Sequence, residues 1–171
     1  MALTRINNNS LSAVTSAGIP GHGSLTNFEV WNLLDNVVDD QAPVTGWTRQ
    51  SEACFGDAIT QSGGIFTFPS TGYWWITCSV FLRAVSTGTA ELDIATTTDG
   101  SNYTVQARAV HELNATGGQG DATASASYIF DVTNTSTHKF RTNFNETSTN
   151  TLIAGNTVGT TSMTIVRLGD T

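Results

Sequence analysis

Few residues in this chain have the chemistry to act on a substrate. Glu91 and Asp93 lie two apart in "AELDIA" and would share one face of a strand, an arrangement that could present a pair of glycosidase carboxylates. A solvated face, or a guard on a sheet edge, explains the pair equally well. His111 and Glu112 are adjacent, so on a strand they point to opposite faces. His22 sits among glycines and His138 beside Lys139. None of these histidines stands in H-E-x-x-H or another metal spacing. Serine is abundant, yet no G-x-S-x-G elbow marks a nucleophile. The sequence argues against an enzyme and implies no cofactor.

Asp99, Ser101 and Asn102 in "TTDGSNYT" could offer oxygen ligands to a calcium ion. The run lacks the spaced acids and the terminal Glu of an EF-hand loop. An Asp-Gly hairpin turn accounts for the same residues without an ion and is the preferred reading. Cys54 and Cys78 are the two cysteines of the chain. They read as buried free thiols, although two strands that brought them together would allow a disulfide.

Composition bounds the elements that position these groups. The chain has 171 residues, enough for one domain with a hydrophobic core. Charged residues make up 12%, about half the usual share. The net charge is −7 and Lys139 is the lone lysine, so there is no electrostatic footprint for nucleic acid. No run approaches the roughly 18–20 apolar residues of a membrane helix, and no membrane insertion is expected. "MALTRINNNS" has no apolar stretch of the kind a signal peptide needs. Thr and β-branched residues dominate, and turn signals such as "SGG", "PSTG", "TDGSN" and "TGGQGD" recur between strand-length runs. That spacing predicts an all-β antiparallel sandwich.

"GGIFTFPSTGYWWITCSVFL" (63–82) carries the strongest pattern. Ile65–Phe68 reads as a short strand between turns. After Gly72 a long strand begins. Its even positions, Trp74, Ile76, Cys78, Val80 and Leu82, are all apolar and belong to the core. Its odd positions, Tyr73, Trp75, Thr77, Ser79 and Phe81, are too aromatic for water and too polar for a core. Such a face marks a contact with another protein surface. Cover by an N-terminal segment of the same chain is the alternative.

Gly64-Ile-Phe-Thr-Phe-Pro69-Ser-Thr-Gly72-Tyr73 resembles the strand, turn and aromatic strand of the complement-subcomponent globular head, which shares the tumour-necrosis-factor-like jelly roll. Ser70 and Thr71 separate a Pro and a Gly that the animal proteins usually place side by side, and the chain has no collagen-like Gly-X-Y repeat. "IFDVTNTSTHKFR" (129–141), the ending "TTSMTIVRLGDT" (160–171) and the opening "MALTRINNNSLSAVTSAGIPG" resemble the versions found in virion proteins of marine and cyanobacterial bacteriophages. The resemblance implies a ten-stranded jelly roll that forms a homotrimer. It also implies that Tyr73, Trp75 and Phe81 lie near the three-fold axis, and that the protein is located in the virion.

Two segments follow from composition. Residues 1–40 read as an N-terminal arm and anchoring segment, and residues 41–171 as the jelly-roll domain. Leu3, Ile6, Leu11, Val14 and Ile19 are the arm's apolar residues, too few and too broken by Gly and Pro to join a core. They are expected to anchor the protein on a capsid or tail protein. Residues 25–40 fit a short strand or a helical turn packed on the sandwich. The expected function is a structural virion protein that decorates or cements the phage head. The alternative is a tail or fibre-tip module that recognises a host-surface glycan or protein, with Tyr103 and the 114–121 loop as its best candidates.

Overall fold

The alternation along residues 72–84 places one strand at the centre of the molecule. In the computed structural model, which describes residues 25–84, 86–115, 120–147, 151–153 and 159–171, that strand anchors a sandwich of two antiparallel sheets. Among the described residues twelve strands run in chain order: β1 (Phe28–Leu33), β2 (Val37–Val38), β3 (Trp47–Arg49), β4 (Thr60–Ser62), β5 (Ile65–Thr67), β6 (Gly72–Ala84), β7 (Gly88–Thr97), β8 (Thr104–Leu113), β9 (Gly120–Val132), β10 (Lys139–Glu146), β11 (Thr151–Ile153) and β12 (Ser162–Gly169).

The first sheet has seven strands in five lanes. β9 pairs with β6 along its whole length, from Gly72↔Val132 to Ala84↔Gly120. The other edge of β6 is shared end to end by β12 and β11. β1 and β2 form the next lane, and β3 lies outside β1. The second sheet runs β4-β5-β10-β7-β8. The expectation of ten strands is thus met by ten lanes, two of which are split. Among the described residues no helix is long and apolar enough to cross a membrane.

The expected inward face of β6 is the core. Trp74, Ile76, Cys78, Val80 and Leu82 are all fully buried. Opposite them Phe66, Phe68 and Phe140 stack, with the Phe66 and Phe140 rings 4.6 Å apart and Phe68 5.1 Å from Trp74. The turn quoted for its Pro and Gly is held by its surroundings. The Trp74 indole N–H donates to the Ser70 carbonyl at 3.2 Å, and Arg167 Nε donates to the Thr71 carbonyl at 3.0 Å. Gly72 has φ +135°, and a Cβ there would sit 2.4 Å from the Gly169 carbonyl oxygen. Only glycine fits.

Two expectations change. Residues 28–38 are not an anchoring segment outside the domain: β1 pairs with both β12 and β3, so the sandwich begins at Phe28. The reason is the β1 pattern itself, which buries Trp31 and Leu33 in the core. The two cysteines are unpaired, but only Cys78 is buried; Cys54 is half-buried, following the 3-10 turn at Ser51–Ala53. The arm residues Leu3, Ile6, Leu11, Val14 and Ile19 lie outside the described residues.

Candidate functional site

Cross-strand register assembles the outward face of the first sheet. Trp75 stands opposite Ile129 on β9 and Val166 on β12, and Val166 stands opposite Phe28 on β1. Phe28 in turn exchanges both backbone hydrogen bonds with Phe55, at 3.1 and 3.0 Å, and the two rings stack 6.0 Å apart. Directly opposed residues share a face. One apolar row, Ile129–Trp75–Val166–Phe28–Phe55, therefore crosses the sheet from its β9 edge to the chain beyond β1. Tyr73 borders it. Ile129 is 53% exposed, Phe55 47%, Tyr73 42% and Trp75 38%, while Val166 is buried among them. A continuous row of this kind is unlike scattered surface hydrophobics.

The next two rows are hydroxyl-lined: Ser127, Thr77 and Thr164, then Ser125, Ser79 and Ser162. Phe81 comes after them, about 20 Å from Trp75 at roughly 3.3 Å per residue. It is half-buried beneath Arg83, whose guanidinium lies 5.4 Å from the ring centre. Arg83 is itself held by Asp121 at 2.8 and 3.1 Å, which keeps the Asp121 carboxyl below its usual range. The structure thus joins Tyr73 and Trp75 in one patch and sets Phe81 apart at the other end of the strand. Sequence reasoning missed Ile129, Val166, Phe28 and Phe55. The alternation in "SYIFDV" could have flagged Ile129 as an outward apolar residue, but the rest depend on strand order.

The groups weighed for chemistry serve structural ends. Asp93 is buried and accepts from Arg108 Nε and Nη2 at 2.7 and 3.1 Å and from Asn145 at 3.2 Å, while Glu91 takes Arg108 Nη1 at 2.8 Å. The pair shares one arginine as an ion-pair cluster. The Asp99 carboxylate accepts from the Asn102 and Ser101 backbone N–H groups, both at 2.8 Å, from Asn102 Nδ2 at 2.6 Å and from Thr97 Oγ1 at 2.8 Å. The Asn102 donors, more than any other cause, hold its carboxyl well below the usual carboxylate range. The loop's own N–H groups take the place a cation would need. His138 stacks on Phe130 at 5.5 Å and contacts Thr133 and Thr137, while His111 is exposed on β8. Among the described residues no three His, Cys, Asp or Glu side chains group as a metal site.

Beneath the row, at the mouth of the sandwich, Glu29 points inward and is fully buried. It accepts from Arg49 Nε at 2.5 Å, from Arg49 Nη2 at 2.8 Å and from the Ile59 backbone N–H at 3.3 Å. These bonds tie β1 to β3 and to the chain entering β4.

No family model matches this chain, and no curated protein matches it. Solved structures do. The crystal structure of murine APRIL at pH 5.0 superposes with a TM-score of 0.64 at 12% identity, covering 83% of this chain and 98% of that one. The structure of Eiger TNF from S. frugiperda gives 0.66 at 10% identity, covering 86% and 96%. The chain has a tumour-necrosis-factor-like jelly-roll fold.

Proposed function

We propose that the protein is a structural virion protein of a bacteriophage, a homotrimer of jelly rolls that decorates or cements the head and is anchored by its N-terminal arm. The apolar row Ile129–Trp75–Val166–Phe28–Phe55 carries the reading. It is one side of a contact, on a sheet whose next two outward rows, through Thr77 and Ser79, are short hydroxyls that permit close approach. A three-fold ring is a heterologous closed assembly, so this face meets a different surface of the next subunit. The outer edge of β9, beside Ile129, pairs with no second strand among the described residues and is the adjoining surface best placed for it. Trimerisation and the virion setting are carried over from the resemblances of fold and of terminal sequence. The side chains of Glu91, Asp93 and Asp99 are committed to structural bonds, which suits a building block better than a catalyst.

The test has two parts. Light scattering should return three times the 18.1 kDa chain mass. Quantitative mass spectrometry of particles should then find the protein at the abundance of a head component. A monomer in solution, or a handful of copies per particle, overturns the proposal.

A further inference from the structure

The outward face of the second sheet carries a different kind of surface. Arg141 on β10 lies opposite Ala95 on β7 and Ile65 on β5, and Lys139, two residues earlier on the same face, lies opposite Thr97 and Thr67. Ala95 is small, so nothing on β7 blocks the space above it. Tyr103, in the turn entering β8, reaches across and lays its ring 4.4 Å from the Arg141 guanidinium. Ala95 and Thr97, on the facing strand, are 1% and 2% exposed.

What sets Arg141 apart is that it is uncommitted. Arg49, Arg83, Arg108 and Arg167 each sit on a carboxylate. Among the described residues Arg141 has no carboxylate partner and no hydrogen bond; its Nε and the Tyr103 hydroxyl are both buried without partners. Lys139 likewise makes no ion pair among them. The nearby Asp99 carboxylate is turned into its own loop by Ser101 and Asn102. In a chain of net charge −7, two cations side by side and unneutralised are the exception.

We propose that Tyr103, Arg141 and Lys139 form a binding site for a carboxylated sugar of an acidic polysaccharide. A planar guanidinium offers a carboxylate two parallel N–H donors, and Lys139 adds a point charge beside it. The Tyr103 ring, which backs the guanidinium on one face, supplies an aromatic body against which the C–H face of a sugar ring can rest. The local charge of two suits single carboxylates spaced along a polymer. A densely sulfated or phosphorylated chain would gain no more from the site and would be repelled by the acidic remainder. The site lies on the sheet opposite Trp75 and needs no assembly, so this inference and the proposed virion role can fail independently.

The test is calorimetric titration of the full chain with a short oligogalacturonate, its methyl ester and a sulfated oligosaccharide. Saturable binding of the oligogalacturonate alone is expected. Arg141→Gln should weaken it by about tenfold or more, the value of a charge-assisted pair. Arg141→Lys should fall between, since it keeps the charge and loses the fork. Tyr103→Ala should weaken binding, and Lys139→Gln should weaken it less than Arg141→Gln. Melting curves check that each variant is folded. No saturable binding at millimolar probe overturns the proposal. So does equal binding of the methyl ester or the sulfated sugar, or wild-type affinity in a folded Arg141→Gln variant.

Discussion

Trp75 and Ile129 stand directly opposite each other across the β6–β9 pair, both facing outward, 38% and 53% exposed. They are the most prominent pair of the apolar row, and neither fills the core. Trp75→Ala or Ile129→Asp should therefore break the proposed trimer and leave the subunit folded. A buried aromatic at an interface centre is worth about 2 kcal/mol or more on truncation, roughly thirtyfold in association. Sedimentation equilibrium beside circular dichroism separates the two effects. A variant that sediments as wild type would remove this face from the contact.

Trp74 is the next residue and has the opposite consequence. It is fully buried, packs on Phe68, and its indole N–H is satisfied by Ser70. Trp74→Ala should cost about 3–5 kcal/mol of folding stability, the usual range for deleting a large core aromatic. Urea unfolding measures it. Equal losses for Trp74→Ala and Trp75→Ala would contradict the assigned facing of β6.

Cys78 is fully enclosed, and burial pushes its thiol up to about 12 from an ordinary 9.0. Below the unfolded value the thiol is neutral in both states and its contribution is complete. Between about 9 and about 12 the unfolded chain releases a proton that the folded chain keeps, so stability falls as pH rises. A Cys78→Ala variant, compared in stability against pH, should lose that part of the slope. Cys54 is half-buried, and burial also raises its thiol. It should label slowly in the native protein, faster at higher pH, while Cys78 labels only after unfolding. Rapid native labelling of Cys78 would refute the burial.

Glu29→Ala leaves the Arg49 guanidinium and the Ile59 N–H without their acceptor. Breaking a buried pair costs about 3–5 kcal/mol, and the partial exposure of Arg49 places this one at the lower end. Glu29→Gln should cost less, since it keeps an oxygen for Ile59. Thermal denaturation of the two variants should rank them in that order. A neutral Glu29→Ala would show that the bridge does not hold the β1–β3 edge.

Composition and turn spacing determined an all-β sandwich without any structure, and the period of two along residues 72–82 determined a core face through Trp74, Ile76 and Cys78 and an outward face bearing Tyr73 and Trp75. Those are local properties, because alternation on one strand decides which side chains share a side. Which outward residues meet is a matter of strand order and register, and these are set by contacts between residues far apart in the chain. Only the fold could bring Ile129, Val166 and Phe28 beside Trp75; the two hydroxyl positions that separate Phe81 from it, Thr77 and Ser79, are already legible along the strand. The same holds for Arg141. Its charge is plain in the sequence, but its lack of a partner depends on where every carboxylate ends up: Asp93 beside Arg108, Glu29 beside Arg49, and Asp99 folded into its own turn.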